Sequence, residues 1–166
     1  MWGKIRHYFE KFPAQARVAQ RMLTYGFRVK GDRVYCGDVA VAETALGRAL
    51  GVDRRVVTAT VRTIQRNSDL ARIFRRLRPV AHLREVAPLM GWGAIEIVPT
   101  DARTPGILAG VSSIIARASI SIRQVIVDDP DVVDEPRGFI ITDAPVPSEL
   151  IPAMKAVEGV QGLVLY

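Results

Sequence analysis

Thiol and imidazole groups are scarce in this chain. Among 166 residues there are one cysteine, Cys36, and two histidines, His7 and His82. A lone cysteine excludes an internal disulfide and any zinc site built on several thiolates. It is expected to serve as a small buried hydrophobe. Neither histidine has a serine, cysteine or ligand set beside it at a useful spacing, so no enzyme, no metal and no cofactor is expected. There is no Walker-type phosphate loop and no dinucleotide fingerprint. Aromatic residues make up only 7% of the chain, and the basic segments lack the interleaved rings on which bases stack, which weighs against RNA. The acidic run Asp128, Asp129, Asp131, Asp134 and Glu135 lacks EF-hand spacing and a central glycine, so it reads as a solvated turn. Long apolar runs are missing as well. The opening Met1–His7 never becomes a signal peptide, and the uncharged stretch Thr104–Ala116 is too short for a bilayer and contains Pro105 and Gly110. A cytoplasmic protein with no membrane partner is expected.

What the chain does have is charge sorted along its length. Hydrophobic residues at 49% and charged residues at 24% are ordinary for a globular protein. Residues 1–92 carry 18 of the 23 Lys and Arg but 7 of the 17 Asp and Glu, a balance of +11, and residues 93–166 stand at −5. Such sorting predicts two domains, 1–92 and 93–166, with a boundary near Gly91–Gly93. The basic one calls for a polyanion, double-stranded DNA above all.

The first domain reads as mostly helical. Pro13 suits the first turn of a helix running to about Tyr25, with Val18, Met22 and Tyr25 on one face. Gly31-Asp32 centres a hairpin between Arg28-Val29-Lys30 and Arg33-Val34-Tyr35. A helix at Glu43–Leu50 with an apolar stripe of Ala45, Leu46, Ala49 and Leu50 is followed by Gly51-Val52-Asp53, where Asp53 caps the next helix. That helix, Arg54 to about Asn67, buries Val57, Val61 and Ile64. Arg54, Thr58, Arg62 and Gln65 fall on its other face, with Arg55 and Arg66 beside them. A recognition helix needs this division, with arginine for guanine edges or phosphates and threonine or glutamine for bases. Arg72, Arg75, Arg76 and Arg78 follow on a helix at Asp69–Leu77 capped by Ser68, and a last helical segment is read at Ala81–Met90.

The second domain reads strand Ala94–Val98, helix Pro105–Ala118, strand Ile120–Val127, strand Phe139–Thr142, helix Pro147–Val157 and strand Val160–Tyr166. The order βαββαβ is that of a ferredoxin-like fold, so the fold class expected is α+β, a helix-turn-helix-like domain followed by a ferredoxin-like one. Thr104 is placed to cap the first helix, Pro105 fits its first position, and Gly106 leaves the first turn open to a carboxylate, while Asp101 could meet an ammonium group. Aliphatic residues occupy both phases of the strands while helices cover one face, so the second face needs a partner, most simply a second copy.

The strand ending in Val98-Pro99, then Asp101, Pro105-Gly106 and Ile107-Leu108, and later Ile120-Ser121-Ile122, resemble an ACT domain over residues 93–166. The loop from Asp101 to Gly106 is longer than is usual there. Together with Gly51-Val52-Asp53-Arg54-Arg55-Val56-Val57, the chain is similar to an archaeal family of ACT-containing regulators of amino-acid metabolism. The resemblance implies an amino acid or similar small metabolite bound by Asp101, Thr104, Pro105, Gly106, Ile107, Leu108, Ser121 and Ile122. It also implies a homodimer through the ACT domain, with ligand at the shared interface. The function expected is a ligand-responsive transcriptional regulator. The alternative is the regulatory subunit of a metabolic enzyme, docked through its basic half.

Overall fold

A computed structural model describes all 166 residues. It divides into two compact units, Met1–Ala81 and His82–Tyr166, in an α+β fold with one sheet in each. No helix is long and apolar enough to cross a membrane.

In the first unit a short helix α1 (Trp2–Ile5) and a 3-10 turn lead into α2 (Pro13–Thr24), with proline in its first turn. Val18 and Met22 are buried, but Tyr25 lies just past the helix, exposed, with its ring against Phe27. The expected hairpin is present as β1 (Arg28–Lys30) and β2 (Arg33–Cys36), with Val29 opposite Val34. A third strand, β3 (Val39–Val41), pairs with β2. At three residues it was too short to show an alternating pattern in the sequence.

Helices α3 (Glu43–Leu50), α4 (Arg54–Arg66) and α5 (Ser68–Phe74) complete the unit. Phe9, Val18, Met22, Val57, Val61, Ile64, Leu70 and Phe74 form its core. Two expectations change here. Helix α3 buries Leu46 and Gly47 and leaves Ala45 and Ala49 exposed. Helix α5 is capped by Asn67, whose side-chain oxygen accepts from Asp69 and Leu70 N–H at 3.1 and 3.3 Å, and it stops at Phe74.

The second unit contains β4 (Gly93–Pro99), α6 (Ile107–Arg117), β5 (Ile122–Val127), β6 (Gly138–Thr142), α7 (Ile151–Lys155) and β7 (Val160–Leu165). The strands lie in the order β5-β6-β4-β7, every pair antiparallel, which is the ferredoxin-like arrangement. One face of the sheet turns Ile95, Ile97 and Ile140 onto Ile107, Val111 and Ile115 of α6 and Met154 of α7. Alternation sends Ala94, Glu96, Phe139 and Ile141 to the other face.

The chain covers part of that second face itself. Residues 82–92 form a strap across it rather than a helix. Only Pro88–Met90 makes a 3-10 turn, since Pro88 has no N–H to continue a helix. Ala87 is fully buried and clusters with Ala94 and Ile141, flanked by Leu83 and Trp92. Leu83 N–H donates to Gln124 Oε1 at 3.0 Å, and the Arg123 guanidinium lies 4.1 Å over the Trp92 ring. Packing thus assigns residues 82–92 to the second unit, moving the boundary from Gly91–Gly93 to Ala81/His82. The charge balance stays at +11 and −5, because the segment that moves contains one base and one acid, Arg84 and Glu85.

Candidate functional site

The first candidate is the exposed face of α4. Helix α3 ends in Gly51, whose φ of 63° lies in the left-handed region that favours glycine. Gly47 makes the turn tight: a Cβ there would sit 2.8 Å from the Val52 carbonyl oxygen. Asp53 then caps α4 by accepting the Arg55 N–H at 2.8 Å, and that bond holds its carboxyl below the ordinary value. The Arg55 side chain adds a second bond to the same oxygen at 3.2 Å, so Arg55 leans back on the cap.

Val57, Thr60, Val61 and Ile64 point inward. Arg54, Arg62 and Arg66 are exposed and form no ion pair. The two polar residues expected to face bases are engaged within the fold. Thr58 is half-buried and donates to a Glu43 carboxylate oxygen on α3 and to the Arg54 carbonyl. Gln65 donates through its amide to the Gly31 carbonyl. That bond fastens the β1–β2 turn, with exposed Lys30 and Arg33 beside it, to the last turns of α4. The surface offered outward is therefore made of guanidinium and ammonium groups, suited to a phosphate backbone.

The second candidate is the region between β4, α6 and the β5–β6 connection. The segment after β4 does not start a helix at Pro105 as its residues suggest. Asp101 Oδ1 accepts the Arg103 N–H at 2.9 Å, and Thr104 N–H bonds back to the Asp101 carbonyl at 3.0 Å, which makes a turn. Helix α6 begins only at Ile107, with Gly106 at φ 96° as its N-cap and no side-chain cap from Thr104.

Behind this turn is a cavity of about 130 Å³ lined by Ile97, Pro99, Ala102, Thr104, Gly106, Ile107, Leu108, Val127, Arg137 and Gly138. Beside it an open groove of about 710 Å³ is lined by Thr100, Asp101, Arg103, Asp134, Glu135 and Gln161, among others, and shares Pro99, Ala102 and Arg137 with the cavity. Of the residues expected to bind ligand, Thr104, Gly106, Ile107 and Leu108 come together on the cavity and Asp101 stands on the groove. Pro105 lines neither. Ser121 and Ile122 lie elsewhere: Ile122 pairs with Thr142, at the end of the sheet remote from Val127 and Gly138. That is five strand positions away, roughly 17 Å. Ser121 N–H donates to Asp143 Oδ1 at 3.0 Å, and Asp143 N–H returns to the Ser121 carbonyl.

Arg137, the one charged residue on the cavity wall, was not singled out from the sequence. It lies 35 residues past Ala102 and reaches the wall only through the pairing of β6 with β4 and β5. Its guanidinium pairs with Glu135 at 2.9 Å and with Glu96 at 3.7 Å. Glu96 also accepts the Tyr166 hydroxyl at 2.6 Å and pairs with Arg84 of the strap at 3.6 Å. The hydrogen bond to Glu96 pushes the Tyr166 phenol up. In the acidic run after β5, Asp129 Oδ1 accepts the Asp131 N–H and Asp128 Oδ2 the Arg137 N–H, while the Asp131 carboxylate pairs with Arg103 at 3.1 Å.

No family model matches the chain, and no curated protein does. Among solved structures, an AsnC family transcriptional regulator from Agrobacterium tumefaciens is similar over 92% of this chain and 86% of its own, at 12% identity and a TM-score of 0.30. The protein PH0061 is similar over 90% of this chain and 88% of its own, at 15% identity and a TM-score of 0.28. At such identities and TM-scores neither likeness bears on what this chain binds.

Proposed function

We propose that this chain is a DNA-binding regulator whose second unit senses a small metabolite of the amino-acid class, acting without catalysis. The observation that carries the reading is the α3–α4 pair. A tight glycine turn and an aspartate cap present a helix whose outward face is arginine, in a unit of net charge +11. A surface of that kind meets phosphates well, and the hairpin fastened beside it widens the contact. The sensor half rests on the cavity and groove behind the Asp101 turn, in a ferredoxin-like unit that resembles an ACT domain. Val164 and Leu165 on the edge strand β7, with Tyr166 just past it, stay exposed, which suits pairing with a second copy. A dimer would present two recognition helices to a palindromic site.

The test is fluorescence anisotropy on labelled duplex DNA across a salt series, with and without a pool of the twenty amino acids. The reading expects binding that weakens steeply with salt and is shifted by one amino acid. If no duplex is retained even at low salt, the DNA reading falls. The basic face would then be a docking surface for an acidic protein, as in an enzyme's regulatory subunit.

A further inference from the structure

Resting on the DNA reading above, we infer that the first unit holds DNA at a second place, where Arg75 and Arg78 at the end of α5 and Arg21 of α2 meet the phosphate backbone away from α4. Buried Leu70 and Phe74 anchor α5 in the core, and Arg72, Arg75, Arg76 and Arg78 all stay exposed. Of the four, only Arg72 has an acidic partner, Asp69 at 3.7 Å. No acidic residue occurs from Leu70 to Ala81. Arginines three and four apart repel one another on a helical turn, so stability alone would not select this set. The end of a helix does favour cations, and Arg76 donates to the Arg72 carbonyl at 3.0 Å. That accounts for Arg76. Arg75 has no such bond, and Arg78 reaches only the carbonyl of its neighbour Leu77, at 2.9 Å.

The fold brings a second element to this cluster. Gly26 follows α2 at φ 64°, and a Cβ there would collide with the Arg78 carbonyl, so the chain leaving α5 lies directly on the end of α2. Tyr25, beside it, is 48% exposed, and Arg21, one turn earlier, is exposed and forms no ion pair. Guanidinium groups and a phenol hydroxyl are the kinds of donor that hold a DNA backbone. The corner also lies apart from α4. Gln15 of α2 accepts the Thr63 hydroxyl of α4 at 2.8 Å, and Tyr25 comes ten residues later, about 15 Å along the helix. A contact of this kind touches no base edge and is blind to sequence.

The experiment is fluorescence anisotropy of the full chain on two duplexes of unrelated sequence, each across a salt series. Wild type is compared with Arg75→Gln/Arg78→Gln, with Arg21→Gln, and with Arg117→Gln/Lys155→Gln in the second unit as the charge control. Arg76 is left in place because it bonds the last turn of α5, and a thermal melt confirms that each variant folds. The double variant is expected to lower the slope of log affinity against log salt by about 1.8, and Arg21→Gln by about 0.9, equally on both duplexes. The control is expected to leave the slope unchanged. If either variant keeps the wild-type slope, or loses it on one duplex only, the inference is overturned while the DNA reading stands. The same follows if the control lowers the slope as much as the double variant. If the wild-type chain retains neither duplex at low salt, both are overturned.

Discussion

Replacing Arg62 and Arg66 together with alanine isolates the electrostatic part of the DNA reading. The two lie one turn apart on the exposed side of α4, and neither is held in an ion pair. Removing them leaves the core of Val57, Val61 and Ile64 untouched, so stability should change by no more than about 0.5 kcal/mol per site. In a complex, each arginine on a phosphate contributes about 0.9 to the slope of log affinity against log salt, so the pair contributes about 1.8. Between 50 and 200 mM salt the wild-type chain is then expected to lose about tenfold more affinity than the double variant. The control removes the same net charge from the other unit, as Arg117→Ala with Lys155→Ala. Fluorescence anisotropy on one duplex at five or six salt concentrations measures all three slopes. A slope unchanged in the Arg62/Arg66 variant, or lowered equally in the control, would refute α4 as the phosphate-facing element, since the effect would then follow total charge and not its place in the fold.

Thr58→Val is expected to cost about 1 kcal/mol in urea unfolding through loss of the Glu43 bond, with DNA affinity falling less than in the arginine variants. Gln65→Ala is expected to speed amide exchange at Gly31 and Asp32 more than it weakens binding. The reverse pattern for either residue would mean that it reads bases. Gly51→Ala is expected to cost about 1 kcal/mol, purely conformational, because a Cβ there meets nothing within 4 Å. Gly47→Ala is expected to lower the melting temperature further and to weaken DNA binding as well, since its Cβ must push the Val52 carbonyl and the start of α4 aside; equal effects of the two glycine variants would contradict this. Asp53 has a folded pKa held below its unfolded value, so its contribution is present above the unfolded carboxylate pKa and drains as pH falls through the folded one. Acid is therefore expected to fray the first turn of α4, and Asp53→Ala to remove that part of the pH dependence in circular dichroism melts.

What could be read from the sequence, and what could not, divides by the distance over which each feature is decided. The elements of the second unit were legible because strand and helix periods are local, and Ile95, Ile97, Val111, Ile115 and Ile140 each declare their face within a few residues. Helix α4 was legible for the same reason: Val57, Val61 and Ile64 recur at helical spacing opposite Arg54 and Arg62. Thr58 and Gln65 share that outward face by period alone, yet each is claimed by a partner outside the helix, Glu43 fifteen positions earlier and Gly31 thirty-four. The strap failed in the same way. Ala81–Met90 has enough apolar residues to suggest a helix, but Leu83, Ala87 and Trp92 are drawn onto Ala94 and Ile141, a contact that exists only once β4 and β6 have paired. The candidate ligand site was half legible. Its turn, Asp101 to Gly106, is written in consecutive residues, whereas Arg137 joins the cavity wall through sheet register. Ser121 and Ile122, placed in the site by family resemblance, are kept from it by that same register. The arginine on the cavity wall and the arginine on the strap share one acceptor, Glu96, so strand pairing also decides which two charges compete for it.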